Sequence, residues 1–172
     1  MDYPTIWPQF FTSTIQNWKH LLKDDEYKDI IINCLQFLTR EKRITLNAFT
    51  IMSNHVHIIW QPLQHYTLTQ IQTSFSTQTS REIIKKLKEK NPGQFDSLKV
   101  NKYDRAYQVW KREPLSIELF TEKIFQQKLE YIHQNAVVAG LVILPEMYKY
   151  SSAKFYEMGI DDFNMLTHYM GS

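Results

Sequence analysis

The chain has few of the residues and segments that would place it in several large classes of protein. It contains one cysteine and four glycines in 172 residues. A single cysteine excludes an internal disulfide framework and a cysteine-based zinc site. Cys34 lies in an apolar helical stripe, and we expect a buried free thiol. No run of about 18 apolar residues occurs, which predicts no membrane span, and the N-terminal sequence predicts no secretory signal. We therefore expect a cytoplasmic protein without a membrane partner.

Excess charge of one sign is also lacking, since the formal net charge is only +2. The length predicts one domain over residues 1–172, and 43% hydrophobic with 22% charged residues is typical of a globular chain. Residues 81–112 nevertheless contain ten Lys or Arg against four Asp or Glu. Such a segment can contact phosphates, although a solvated helix face is the simpler interpretation of the segment taken alone.

The spacing of apolar residues predicts the order strand, helix, strand, strand, helix, strand, helix. We expect strands at residues 10–15, 44–52, 56–61 and 106–112, an irregular basic loop at 94–104, and helices at 24–38, 68–90 and 121–140. This order predicts an α+β fold, namely a ferredoxin-like antiparallel sheet with helices packed on one face. The last helix and the tail after it are additions to that core.

Two histidines stand one residue apart in the third predicted strand, in the segment Met-Ser-Asn-His-Val-His-Ile-Ile at residues 52–59. Side chains alternate between the two faces of a strand, so His55 and His57 point to the same face. Two imidazoles on a rigid strand can supply two ligands of a divalent metal. Two polar positions on a solvated sheet face are an equally good interpretation of the spacing alone.

The last predicted helix carries polar residues beside its apolar stripe. Gln127, Tyr131, Gln134 and Asn135 lie within one side of this helix, because residues three and four apart are neighbours. Tyr131 supplies a phenol, and Asn135 or Gln134 supplies an amide oxygen for a hard cation. His133 belongs to a different face. On spacing alone, a half-buried packing tyrosine is the simpler interpretation of Tyr131.

Taken together, the segment at 52–59, the run Tyr-Ile-His-Gln-Asn-Ala-Val at 131–137 and the run Tyr-Lys-Tyr-Ser-Ser-Ala at 148–153 resemble a known family. The chain is similar to the IS200-like tyrosine transposases, which are single-tyrosine HUH endonucleases, and most of all to the REP-associated branch. The resemblance covers residues 10–155 in element order. It departs from the family at Ala136, where a proline is usual, and this change affects only the end of the helix.

The resemblance implies an HUH-endonuclease fold and a metal-dependent transposase that cleaves single-stranded DNA. Tyr131 would be the catalytic nucleophile, forming a 5′-phosphotyrosine that conserves the ester energy. The absence of a glycine-rich phosphate loop is consistent with such ATP-independent chemistry. His55, His57 and Asn135 would hold Mg²⁺ or Mn²⁺ beside the scissile phosphate.

The expected partner is single-stranded or hairpin DNA, and some members of the family exchange the tyrosine helix in a homodimer. Residues that could contact this DNA are Lys128, Arg105, Lys111, Arg112 and Trp110. The first four would contact phosphates, and Trp110 would stack on a base, although packing in the core is the simpler interpretation of Trp110.

Two other functions compete with this hypothesis. A histidine-triad nucleotide hydrolase needs a third histidine at position 59, where this chain has Ile59. A nucleic-acid-binding module of the same fold with a silent site is the alternative outside enzymes. A covalent DNA adduct distinguishes the transposase from this alternative.

Overall fold

The computed structural model of the chain describes residues 7–171. In chain order its elements are β1 (Gln9–Thr14), a 3₁₀ turn (Gln16–Trp18), α1 (Asp25–Arg40), β2 (Ile44–Ile51), β3 (His55–Pro62), α2 (Leu68–Lys90), α3 (Pro92–Asp96), β4 (Lys99–Lys102), β5 (Arg105–Tyr107), β6 (Leu115–Glu118), α4 (Glu122–Val138), a second 3₁₀ turn (Pro145–Met147) and α5 (Ala153–Met158). Residues 1–6, which belong to the segment predicted to carry no secretory signal, lie outside the described part. Among residues 7–171 no helix is both long and apolar enough to cross a membrane.

Four of the strands form one antiparallel sheet in the order β2-β3-β1-β6. The two central strands, β3 and β1, are each paired on both sides. This order, with α1 between β1 and β2 and α2 between β3 and β6, is the predicted ferredoxin-like arrangement. Strands β4 and β5 form a separate two-stranded sheet. The first three strands and the three long helices agree closely with the sequence prediction.

The predicted fourth strand at residues 106–112 is wrong. Only Arg105–Tyr107 is a strand, and it pairs with β4, while Trp110 makes a single bridge to Ile15. The fourth strand of the main sheet is β6, directly after Pro114. It has only four residues, Leu-Ser-Ile-Glu, lies at the edge of the sheet and is largely exposed, so its apolar–polar alternation is too short to identify a strand from the sequence. The predicted loop at 94–104 instead contains the end of α3 and the whole of β4.

Helices cover both faces of the main sheet: the two helices of the ferredoxin-like core share one face, as predicted, and the added helix α4 covers the other. Helices α1 and α2 pack on the face that carries Phe11, Phe49, Ile58 and Trp60. Helix α4 packs on the opposite face, which carries Phe10, Ala48 and Ile59. With both faces covered, β3 is buried almost without interruption, as are strands packed on two sides.

Local sequence explains where α4 begins and which side it buries. The hydroxyl of Thr121 accepts a hydrogen bond from the backbone N–H of Ile124 at 3.2 Å and caps the helix. Phe125, Leu129 and Ile132 are buried at helical spacing. Each such side chain contributes about 1.5–3 kcal/mol when fully buried. This stripe therefore holds α4 in one orientation on the sheet.

Cys34 is buried in α1 with 1% of its surface exposed, as the sequence predicts. Its thiol lies 3.7 Å from Oε1 of Gln78. Burial raises the pKa of the Cys34 thiol to about 12, because the thiolate would lose its hydration. The thiolate is the reactive form of cysteine, so this thiol is chemically protected in the folded protein.

We expect Cys34 in the native protein to react with a disulfide reagent such as Ellman's reagent orders of magnitude more slowly than a free thiol. The reason is that a pKa raised to about 12 leaves only roughly one thiolate in ten thousand at pH 8. Absorbance at the thionitrobenzoate band measures the rate. The urea-unfolded chain is the control and should react fully at once. Equal rates before and after unfolding would contradict the buried placement.

Candidate active site

The two histidines of β3 lie side by side on the face of the sheet that α4 covers. His57 stands opposite Thr12 of β1, and His55 stands opposite Thr14. The centres of the two imidazole rings are 4.8 Å apart. Ile59, the next residue on this face, packs with Phe10 in the core beneath α4. The prediction that both histidines share one face is confirmed.

His57 is held in a dry environment with one ring nitrogen engaged. Its side chain is 5% exposed, and its Nδ1 lies 2.7 Å from the hydroxyl oxygen of Thr12. The ring stacks on Phe10 at 5.5 Å between centres. Burial, together with the nearby charges of His55 and Lys128, lowers the pKa of His57 to about 3. The imidazole is therefore neutral at ordinary pH, which is the form that binds metals.

His55 is oriented by the residue before it. Its Nδ1 lies 2.8 Å from the amide oxygen of Asn54, so Nδ1 carries the proton and Nε2 keeps its lone pair. Burial lowers the pKa of His55, and a side-chain hydrogen bond with Asn135 partly opposes that shift. The hydrogen bond between His55 and Asn135 joins the start of β3 to the last turn of α4.

Tyr131 of α4 lies next to His57. The centres of the two rings are 5.2 Å apart with the planes at 71°, and the Phe10 ring is 6.1 Å from the Tyr131 ring. Unlike the buried stripe of the same helix, Tyr131 is 52% exposed. One edge of the ring is therefore fixed by the histidine and phenylalanine, and the rest of it faces solvent.

Lys128, one turn before Tyr131, brings a positive charge to the same place. Its ammonium lies 4.9 Å from the centre of the Phe10 ring and 5.7 Å from the centre of the Tyr131 ring. Both contacts have the geometry of cation–π interactions. The lysine is thus held beside the tyrosine on the open side of the site.

The structure separates the two amides that the sequence left as alternatives. Asn135 hydrogen-bonds to His55, whereas Gln134 is exposed and lines a different groove together with Gln127. Gln127 and Gln134 are exposed at the helical spacing from Tyr131 that the sequence predicts, and they border this groove rather than the histidines. Their offset around the helix turns them towards the C-terminal tail. His133 lies on that other side as predicted, with Nε2 2.8 Å from the Ser152 hydroxyl.

The donor set at this place suits a divalent cation. Nε2 of His57 is buried and has no hydrogen-bond partner, which is costly for a buried polar atom unless a ligand occupies it. The Nδ1 atoms of both histidines contact orienting groups, as is usual for metal-bound imidazoles. Among residues 7–171 no three His, Cys, Asp or Glu side chains converge. Any cation here would depend on Asn135 and on oxygen atoms from substrate or water.

The other tyrosines near the sheet are committed to structural contacts. The hydroxyls of Tyr148, Tyr150 and Tyr156 donate hydrogen bonds to Ile51 O, Asp29 Oδ1 and Asn47 O at 2.6, 2.8 and 2.9 Å. Burial raises the pKa of Tyr148 to about 12 and raises the pKa of the other two as well. Such hydroxyls are poor nucleophiles.

The predicted DNA-contacting residues outside α4 are only partly near the site. Trp110 is 6% exposed, packs on Phe75 and donates from Nε1 to the Thr79 hydroxyl at 2.9 Å. It is a core residue with no face for a base, so the packing interpretation is correct. Arg105 and Arg112 both pair with Asp104, which reduces their charge towards DNA.

Lys111 is the predicted contact of that segment with a clear connection to the site. Its backbone N–H donates to the carbonyl of Thr14 at 2.7 Å, and Thr14 stands opposite His55. In contrast, Lys86 and Lys90 of α2 pair with Glu26 of α1, on the sheet face away from α4. The basic stretch at 81–112 thus borders the site only at its C-terminal end.

Sequence reasoning missed several residues that shape this site. Thr12 and Phe10 contact His57 from the neighbouring strand, and Asn54 orients His55. Strand β1 could have indicated the first two, because period two places Phe10 and Thr12 on one face. Their register against β3 was not readable from the sequence. Trp18, an exposed residue of the turn after β1, was missed as well.

Comparisons with known proteins show what this chain is similar to. A family model described as transposase, IS200 like, matches residues 11–135. A solved structure of a REP-associated tyrosine transposase bound to a REP hairpin has a TM-score of 0.65 at 15% identity, covering 100% of this chain and 97% of that chain. A putative transposase from Deinococcus radiodurans has a TM-score of 0.49 at 13% identity, covering 77% and 94%. No curated protein matches.

The structural likeness to the REP-associated transposase shows a shared fold, the HUH type predicted from the sequence. The family model extends over most of the chain and includes β3 with both histidines and α4 through Tyr131 and Asn135. The chain therefore belongs to the IS200-like transposase family.

Proposed function

We propose that this protein is a metal-dependent single-stranded DNA transposase that cuts and rejoins DNA through a 5′-phosphotyrosine on Tyr131. The observation that carries the proposal is the convergence of two neutral imidazoles, an amide and a half-exposed tyrosine at one place. These four groups come from β3 and α4 of the same chain. Membership of the transposase family supports the reaction class.

Each residue of the site has a separate role in the proposed reaction. The phenolic oxygen of Tyr131 attacks the phosphorus, and the 3′ oxygen of the DNA leaves. His55, His57 and Asn135 are the proposed ligands of the cation. A bound Mg²⁺ or Mn²⁺ supplies polarisation of the scissile phosphate. Lys128 is the proposed contact to a phosphate oxygen, and the position of its ammonium over the Tyr131 ring supports this role.

The substrate proposed is single-stranded or hairpin DNA. The related structure with a TM-score of 0.65 is of a transposase bound to a REP hairpin, which supports a hairpin as the substrate. A single strand can bend so that one phosphate reaches the face between β3 and α4. The placement of His57 and Tyr131 in one chain at 5.2 Å between ring centres supports action in cis, and a homodimer stays a prediction.

We expect His57→Ala to weaken Mn²⁺ binding by at least about tenfold. Even outer-shell partners of a metal typically change affinity by about 10–100-fold, and His57 is proposed as a direct ligand. Electron paramagnetic resonance of free Mn²⁺ measures the affinity. His65→Ala is the matched control, because His65 is exposed in the connection between β3 and α2 and should leave binding unchanged. Equal affinities of wild type and His57→Ala would contradict the assignment.

We expect affinity for a hairpin with single-stranded flanks to fall steeply as salt rises. Phosphate contacts release counterions, with a logarithmic slope of about −0.7 per contact on single strands. Fluorescence anisotropy at several salt concentrations measures the slope, and Lys128→Gln should reduce it by about one contact. A blunt duplex is the control ligand and should bind more weakly. Salt-independent binding, or equal affinity for the duplex, would exclude the proposed substrate form.

We expect Tyr131→Phe to abolish the covalent DNA adduct while leaving folding and DNA affinity nearly unchanged. The substitution removes only the attacking hydroxyl. The adduct is measured on a denaturing gel with labelled single-stranded DNA in Mg²⁺ or Mn²⁺. Tyr103→Phe is the control, since Tyr103 is fully exposed between β4 and β5, and should react as wild type. If Tyr131→Phe reacts at the wild-type rate, another residue is the nucleophile. If no variant reacts but DNA binds, the protein is a silent binding module.

A further inference from the structure

The turn after β1 holds its backbone in an unusual conformation. Asn17 and Trp18 have φ angles of 57° and 56°, in the left-handed region. Asparagine enters this region with little penalty, but a bulky residue such as tryptophan rarely does. Strained backbone at a non-glycine residue persists when surrounding contacts impose it, and it often marks a functional position.

Hydrogen bonds fix this turn to the connection between β2 and β3. The Ile15 N–H donates to the Asn54 carbonyl at 2.8 Å, and the Trp18 N–H donates to the Ile15 carbonyl at 3.0 Å. The Asn54 side chain donates to the Trp18 carbonyl at 3.5 Å. These hydrogen bonds fix the backbone of Trp18, although its side chain is not packed in the hydrophobic core.

The indole of Trp18 is presented to solvent. It is 61% exposed, whereas Trp60 and Trp110 are 0% and 6% exposed. The ammonium of Lys111 lies 5.5 Å from the centre of the Trp18 ring. The ring thus keeps a large open surface beside a positive charge. A fixed aromatic ring next to a cation is the combination that single-stranded nucleic acid uses for one base and one phosphate.

Trp18 and Lys111 are tied to the histidine end of the site. The Asn54 side chain that contacts the Trp18 carbonyl also orients His55 through Nδ1 at 2.8 Å. The backbone N–H of Lys111 donates a hydrogen bond to the carbonyl of Thr14, which stands opposite His55. One polar side chain therefore links the exposed indole to a proposed metal ligand.

We propose that Trp18 and Lys111 form a subsite that stacks one unpaired base of the DNA strand and contacts its phosphate, on the β1 side of His55. This inference rests on the proposed function, since it places part of the same single-stranded substrate. The indole supplies a sequence-tolerant stacking surface, and Lys111 supplies a phosphate contact. Trp18 binds the substrate in this proposal and takes no part in bond breaking.

The test measures binding in the Tyr131→Phe background, so that no covalent step contributes. The probes are oligothymidylate and a hairpin with unpaired flanks, with 2-aminopurine placed at successive unpaired positions. Stacking of a base on an aromatic side chain changes affinity by about fivefold to a hundredfold. We expect Trp18→Ala to lose affinity within this range and Trp18→Phe to retain much of it. One 2-aminopurine position should be quenched by the parent and not by Trp18→Ala.

Phe120→Ala is the matched control. Phe120 is 56% exposed, and it follows β6 at the opposite end of the sheet, where Leu119 is bonded to Pro8. This variant should bind as the parent does. An abasic nucleotide at the quenched position should remove the difference between Trp18→Ala and the parent. Lys111→Gln should reduce the salt slope by about one phosphate contact.

The outcomes separate this subsite from the proposed chemistry. Equal affinity of Trp18→Ala and the parent, or equal loss in Phe120→Ala, overturns the subsite and leaves the transposase proposal standing. Loss of binding in Trp18→Ala with no adduct from the protein carrying Tyr131 supports the subsite and overturns the cleavage chemistry. If the parent binds neither oligothymidylate nor the hairpin, both proposals fail.

Discussion

The packing of α4 on the second face of the sheet is the constraint on which the site depends. The buried stripe of this helix rests on Phe10, Ala48 and Ile59, and this contact sets the height and rotation of every other residue of α4. Tyr131 and Asn135 are polar residues beside the stripe. They contact His57 and His55 because the apolar contact fixes the rotation of α4 about its axis. A different rotation of α4 would separate the tyrosine from both imidazoles.

The packing of α4 on the sheet also determines the protonation state of His57. Burial beneath α4 removes water from His57 and lowers its pKa to about 3, so the ring stays neutral over the physiological range. Contacts of Nδ1 with Thr12 leave Nε2 without a partner in a buried place. A neutral, oriented imidazole with an unused lone pair is the form in which histidine binds divalent cations. Burying the polar imidazole costs desolvation free energy, and burial of the surrounding apolar side chains beneath α4 offsets that cost.

Few of the basic residues of the chain lie near the site, and those that do are paired with aromatic rings. The net charge is small, and much of the basic stretch pairs with acids or lies on the other face of the sheet. What remains near the site is Lys128 over Tyr131 and Lys111 over Trp18. Both lysines lie over aromatic rings, so each ammonium is held close to a surface on which a nucleotide can rest.

Features that follow from local backbone geometry were predictable from the order of the amino acids alone. Period two in β3 put His55 and His57 on one face, and the helical repeat of α4 put Tyr131 and Asn135 one turn apart. The capping threonine and the buried stripe of that helix were readable for the same reason. The order of the long elements then indicated a ferredoxin-like sheet, since few arrangements bury such stripes.

Which of these faces meet depends on contacts between residues far apart in the sequence, and it became visible in the folded chain. The choice of Asn135 over Gln134 beside His55 depends on the rotation of α4, which residues distant in sequence impose. The edge strand β6 was missed because its four alternating residues are too few to distinguish a short exposed strand from a loop. The position of Trp18 beside Lys111 comes from backbone bonds between segments far apart along the chain. Periodicity describes the faces of one element, whereas the pairing of faces is set by the free energy of burying them against each other.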